Sequence, residues 1–307
     1  MFGEEVVRRF RIVHHDAMDA DKLVTVGRTS AGIDVEINRD FAQAEVKILT
    51  GCITPHQLAG YSGGRKSVLP GISGMKTLKK HHSFPIRPET TSLGWLQGNP
   101  FHEQSLEAAR IAGVDFILNS VDNYKKEVVR CVAGELSEAH LEGVKLCCEI
   151  WGVHMPQKPD VVIVSPGGYP RDFDLHQSQK AVGCAEVLCR EGGTIILCAE
   201  IKDGIGRPGK VLQEASSPEE VIETFRREGY TPYANSKAYM WARAIRRFRI
   251  IIAQSNLSQE EVESMFMEYA PTVQEAVDRT VRGKEGKLHF CVVPYGSDIV
   301  IKEEENL

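Results

Sequence analysis

Residues 161–198 read VVIVSPGGYPRDFDLHQSQKAVGCAEVLCREGGTIILC. Val161 to Val164 is a β-branched run, Gln177 to Arg190 has helical spacing, and Thr194 to Cys198 is a second short apolar run entered through Gly192-Gly193. Strand, helix and strand in that order predict a βαβ unit. Parallel strands of such a unit are covered on both faces, which is why they read as continuous apolar runs and do not alternate.

Downstream, three S/T-x-x-E patterns announce helices: Ser217 with Glu220, Ser258 with Glu261 and Thr272 with Glu275. In each, the hydroxyl and the carboxylate can satisfy orphan backbone donors reciprocally. Pro218 stands at a first helical position, where its missing N–H costs nothing. Phe248 to Ala253 and His289 to Val293 lie between or after these helices and are strand-like. This alternation predicts a Rossmann-like parallel sheet with helices on both faces.

Upstream the pattern is more mixed. Strands are expected at Phe10 to Val13, Leu23 to Val26, Ile33 to Ile37 and Val46 to Leu49, with a turn at Thr29-Ser30-Ala31-Gly32. Asn99-Pro100 opens a helix running to about Gly113, and Ser137 to Trp151 forms another that leads to the polar, proline-bounded Pro156-Gln157-Lys158-Pro159. The fold class is therefore α/β in two domains: a mixed α/β domain over 1–154 and the Rossmann-like one over 155–286, with 287–307 as a candidate return to the first. The chain opens in an amphipathic segment, Glu4 to Phe10, and the first domain has few strands to shield its sheet edges, so it reads as N-terminally incomplete.

With 307 residues, 42% of them hydrophobic, the chain can bury a two-domain core. A net charge of −5 with both signs interspersed leaves no basic face for nucleic acid. The eight cysteines show no CxxC or zinc-finger spacing and fit a reduced compartment. No apolar run approaches the roughly 18–20 residues needed to span a bilayer, and Met1 to Glu5 lacks the features of a signal peptide, so no membrane partner and a cytoplasmic location are expected.

Chemistry concentrates in residues 54–82, TPHQLAGYSGGRKSVLPGISGMKTLKKHH. Gly60, Gly63 and Gly64 allow backbone to approach an anion closely, and Arg65 and Lys66 add charge. Gly60 to Ser67 comes within one residue of a P-loop, but Arg65 replaces the second required glycine, and Pro70-Gly71 breaks the helix that should follow. A Gly-rich turn carrying solvated cations is the plain alternative. No GxGxxG opens a helix after a strand, which speaks against a nicotinamide-dependent oxidoreductase.

The same stretch resembles the central signature of the lactate racemase family. The likeness continues through GWLQGNPFHE (94–103), DFILNSV (115–121), VAGELSEAH (132–140) and SPGGYPRDFDLHQSQKA (165–181). It implies a nickel-pincer nucleotide (the nickel complex of pyridinium-3,5-bisthiocarboxylic acid mononucleotide), a 2-hydroxyacid substrate, and racemisation or epimerisation by hydride transfer to the cofactor and back. The resemblance puts the metal ligand at His82, the cofactor-linked lysine at Lys66, and further cofactor contacts at Gly63, Gly64 and Arg65. It makes His56 one of two proton-transferring histidines, and Gln177 and Lys180 substrate contacts. His176 stands where the family usually has tyrosine, which puts lactate itself in doubt as substrate. The second histidine, an acidic residue and an arginine belong to the family's N-terminal segment and have no counterpart here. The missing N-terminal segment is thus expected either in a separately encoded partner or in a longer product of which this chain is part; the alternative is a catalytically inactive cofactor-binding member.

Overall fold

The structure, a computed structural model, describes residues 3–301 except 85, 88, 232 and 233. The second domain is built on a five-stranded, all-parallel sheet in the order Glu268–Ala270, Arg249–Ala253, Thr194–Cys198, Val161–Val164, Phe290–Val293. The two-residue period of a strand divides its side chains between two cores. Val162, Val164, Ile195, Leu197, Ile250 and Ile252 face the larger one, shared with the helices Leu175–Leu188 and Ser236–Arg247. Val161, Ile196 and Ile251 face the other, against Ala276 of the helix Val273–Val281. Both faces are covered, as the apolar runs predict.

Of the three capping patterns, Ser258 with Glu261 closes reciprocally. Ser217 and Thr272 accept from Glu220 N and Glu275 N, while the Glu220 carboxylate turns to Ser216 instead.

The first domain carries a three-stranded sheet in the order Ile48–Cys52, Phe116–Asp122, Val128–Gly134. Beside it lies a hairpin of Leu23–Arg28 with Asp34–Asn38, turning at Gly32 (φ 76°). The helix Pro100–Ile111 begins at Asn99, whose Oδ1 accepts from Phe101 N at 3.0 Å.

Two expectations need correction. Phe10 to Val13 forms no strand: Phe10 and Val13 are 59% and 43% exposed, with no neighbouring strand to pair with among the described residues. Nor does 287–307 return to the first domain as a unit. Phe290–Val293 pairs in parallel with Val161–Val164 and forms an edge of the second sheet, with Val293 and Cys291 packing into the larger core while Phe290 and Val292 stay exposed. The end of the segment does reach back: Tyr295 lies beside Tyr124, Asp298 beside Lys126, and Val300–Ile301 pairs with Gly152–Val153, while 302–307 lies outside the described residues.

The two halves share one core. Leu58, Ala59, Ile86 and Phe101 from the first half pack into the larger cluster of the second. That shared packing holds the 54–82 segment against the start of the Leu175–Leu188 helix.

Candidate active site

Residues 54–67 form a knot of backbone turns. Pro55–His56 pairs antiparallel with Gly60–Tyr61, and the Ser62 hydroxyl accepts from Thr54 N (2.8 Å) while donating to Cys52 O (2.7 Å). A single 3₁₀ turn, Gly64–Ser67, then carries Lys66, and no α-helix follows it directly. The P-loop reading therefore fails on geometry as well as on spacing.

The glycines serve this knot. Gly63 and Gly64 have φ of 77° and 50°, and a Cβ on Gly63 would lie 2.8 Å from Asn119 Oδ1 and from Ile53 Cγ1. Gly64 N already donates to Asn119 Oδ1 at 2.7 Å. Its amide is thus directed at protein, contrary to the expectation that it joins an anion-binding nest.

Arg65, expected as a cofactor contact, has a different task. It is 1% exposed, with Nη2 donating to Ala59 O and Tyr61 O (2.9 Å each) and Nη1 to Ser62 O, Gly63 O and the His140 ring. A guanidinium suits this work because its donors fan out in one plane. Arg65 ties the turns together and thereby positions Lys66.

The Lys66 ammonium has no ion-pair or hydrogen-bond partner among the described residues. Burial, then the charges of Arg65 and Lys180, push its ammonium down to about 7. Near neutral pH much of it is a free amine, the nucleophilic form.

The adjacent histidines separate cleanly. His81 is buried, and its Nε2 meets Phe101 O (3.1 Å) and Ser105 Oγ (3.2 Å), so it is a packing residue. His82 Nδ1 lies 3.1 Å from Leu78 O. A carbonyl only accepts, so Nδ1 carries the proton and the Nε2 lone pair is free, the arrangement a metal-binding imidazole needs.

His56 lines a cavity of about 130 Å³ together with Thr54, Leu93, Arg171, Lys180 and Asp298. Its Nδ1 accepts from both Leu58 N and Ala59 N at 3.2 Å, which places the proton on Nε2. Burial first, then Lys66, Lys237, Lys180 and Arg65, push its basicity well below the usual histidine range.

Across the cleft, the Leu175–Leu188 helix starts at Asp174, whose carboxylate accepts from Gln177 N at 2.6 Å. The helix start thus already holds an anion, which weakens the expectation that its dipole alone draws a substrate carboxylate. Lys180, one turn further, is lowered by burial and then by Arg171. His176 is pushed down to about 4 by the protein around it, then by Lys237 and Lys180. Arg171 shares the Asp298 carboxylate with Lys126.

Lys237 escaped the sequence reading. It follows the Asn235 cap of the Ser236–Arg247 helix, is 8% exposed, and donates to Gln179 Oε1 at 3.1 Å. Nothing in SKAYMWARAIRR distinguishes it from a solvated helix lysine; only the tertiary packing buries it.

Charge thus reaches among His56, Lys66, His82, His176, Lys180 and Lys237, and His56 and Lys180 line one cavity. Among the described residues no three His, Cys, Asp or Glu side chains gather to hold a metal ion by themselves. The donor set fits a metal that arrives with its own ligands and asks the protein for one imidazole.

Comparison with known proteins finds relatives over the length of the chain. Residues 1–93 match the model of the lactate racemase N-terminal domain, and 155–301 that of the C-terminal domain. Lactate racemase of Thermoanaerobacterium thermosaccharolyticum is 33% identical over 311 residues, covering 99% of this chain and 72% of that protein. The Lactiplantibacillus plantarum enzyme is 32% identical, covering 98% and 72%. The solved lactate racemase apoprotein of T. thermosaccharolyticum superposes with a TM-score of 0.91 at 32% identity, over 98% of this chain and 73% of that one. A Thermotoga maritima protein at 17% identity (TM-score 0.69), over 94% of this chain and 77% of that one, shares the fold.

Proposed function

The chain belongs to the lactate racemase family, and from that premise we propose that it inverts the C2 centre of a 2-hydroxyacid with a nickel-pincer nucleotide bound in the cleft between its two halves. The observation that carries this reading is the bare Nε2 of His82, oriented by Leu78 O, on a ring that the charge of Lys66 reaches. His82 would ligate the metal, and Lys66 would hold the nucleotide, covalently if its amine forms a thioamide. When bound, the group supplies a hydride acceptor and donor.

The remaining chemistry falls to the chain's own side chains. Lys180 pairs with the substrate carboxylate, and Gln177 lies within one turn of it to add a hydrogen bond. His56, with its proton on Nε2, donates to the oxygen at C2. To take up the hydroxyl proton it must bare Nε2 and release the Leu58 and Ala59 amides. Inversion needs a proton-transfer group on each face, and a partner chain carrying the second histidine would supply it.

The test is to load the full chain with the nickel-pincer nucleotide, desalt it, and measure bound nickel and inversion by chiral chromatography. Retained nickel that His82→Ala reduces at least tenfold supports the site; equal retention by the variant refutes it. Retention without inversion selects the inactive cofactor-binding reading, since loss of one proton-transfer group removes about 10²–10⁴ in rate.

A further inference from the structure

The cavity of about 130 Å³ beside His56 is lined jointly by the two halves of the chain. Arg171 stands on the loop that follows strand Val161–Val164, and Ser297 and Asp298 on the turn that follows its parallel neighbour Phe290–Val293. Crevices outside the carboxyl ends of such strands are where open α/β sheets take their ligands. The second turn is pressed onto the sheet: Gly296 N donates to Ser165 O at 2.9 Å, and a Cβ on Gly296 would collide with Val164.

Arg171 is held at both ends. Its backbone N–H donates to Gly168 O (2.8 Å), the carbonyl of Asp172 next to it accepts from Ile201 N (2.8 Å), and its Nη1 donates to the Asp298 carboxylate. Asp298 is 4% exposed, lies 3.6 Å from Lys126 Nζ as well, and is the one acid among the described residues lining the cavity. Nε and Nη2 of Arg171 are left without an acceptor among the described residues. These two groups form one edge of the guanidinium, and such an edge grips a carboxylate through two parallel hydrogen bonds.

The other cation of the cavity is less dependable. A guanidinium keeps its charge, whereas a lysine surrenders its own on burial. The Lys180 ammonium is lowered first by burial and then by Arg171, and it too meets no acceptor among the described residues. Gln57, on the same wall, does not serve either cation. Its buried Oε1 lies where a Cβ on Gly183 would be 2.8 Å away, and no hydrogen bond joins it to Arg171 or Lys180.

We propose that Arg171 binds the carboxylate of the substrate in this cavity through Nε and Nη2, with Lys180 as a second donor and the C2 oxygen toward His56. The inference rests on the hydroxyacid reading and deepens it. The charge that selects an acid comes from the loop after Val164; at the helix start, Asp174 already occupies Gln177 N.

The experiment titrates the full chain with lactate and with lactamide, its neutral counterpart, by calorimetry. Wild type should bind lactate at least about tenfold more tightly, the scale of charge-assisted hydrogen bonds. Arg171→Gln should lose that preference and leave lactamide affinity unchanged, which also reports an intact cavity. Arg171→Lys keeps a charge but loses the two-point grip, so most of the preference should go with it. Wild-type protein supplies a measurement that needs no variant, and it decides where Arg171→Gln binds neither compound. Lactate, and not lactamide, should shield Arg171 from phenylglyoxal, read by peptide mass spectrometry.

Equal affinity for the acid and the amide in wild type, an unchanged preference in Arg171→Gln, or modification at one rate with and without lactate overturns the inference. A full preference in Arg171→Lys does so too, because it reduces Arg171 to a point charge. Failure of wild type to bind either compound removes the hydroxyacid reading itself, and the inference with it.

Discussion

Lys66 shows how one side chain's surroundings become its reactivity. An ordinary lysine, with a pKa near 10.4, is neutral in about one molecule in 10³ at pH 7. Held down to about 7, Lys66 is neutral in about half. Cyanate attacks neutral amines, so carbamylation of Lys66 followed by mass spectrometry should be half-maximal near pH 7, while a free lysine peptide in the same tube keeps rising toward about pH 10. Lys66 labelling in step with that peptide would contradict the cleft electrostatics. The sign for stability follows. A lysine whose folded pKa lies below its unfolded value destabilises the fold fully below about pH 7, and the cost fades as pH climbs toward the unfolded value. At this scale motif likeness, and not residue type, drew attention to Lys66 and His82. The sequence was silent where burial decides. His81 and His82 are indistinguishable until one is seen bonded to Phe101 O and Ser105 and the other left with a bare Nε2. Lys237 looks like any surface cation in its helix.

At the scale of elements, the 54–67 loop owes its shape to bonds that no propensity encodes. Arg65 satisfies the carbonyls of Ala59, Tyr61, Ser62 and Gly63 at once. Arg65→Lys keeps the charge but cannot reach all four, and each buried acceptor left unpaired costs about 1–3 kcal/mol. The variant should lose about 2–4 kcal/mol in urea unfolding, and its Lys66 carbamylation midpoint should shift as the turn relaxes. An unchanged midpoint and stability would make the Arg65 network dispensable. Reading this loop as a ligand-facing nest erred for a physical reason: glycine runs signal close approach, and here the close neighbours are Asn119, Ile53 and His140. The second sheet was far more legible, because strands buried on both faces must be apolar throughout. The hairpin of Phe116–Asp122 and Val128–Gly134 escaped periodicity, since several of its apolar residues, Phe116, Leu118, Val128 and Val129 among them, stay exposed.

Across the whole molecule, the cleft depends on how the halves are held, and one buried ion pair carries much of that. Arg243 donates to both Glu186 oxygens (2.9 and 3.0 Å), with side chains 2% and 0% exposed, and its Nη1 reaches Arg87 O and Thr90 O in the first half. Burial raises the Glu186 carboxyl by more than Arg243 and Arg247 lower it. A carboxylate whose folded pKa exceeds its unfolded value gives its stabilising contribution below the unfolded value and loses it as pH rises through the folded one. Glu186 therefore contributes less to stability at neutral pH than in acid, and the pair serves to fix geometry. Glu186→Gln should destabilise by about 3–5 kcal/mol, because Arg243 is left charged and unmatched. The double variant Glu186→Met, Arg243→Met should recover most of that loss in a urea-denaturation cycle. Its cost should appear elsewhere: without Nη1 on Arg87 O and Thr90 O, limited proteolysis should cut within 84–93 faster than in wild type. Destabilisation that simply adds across the two sites, with unchanged cleavage, would show that the halves are held by apolar packing alone.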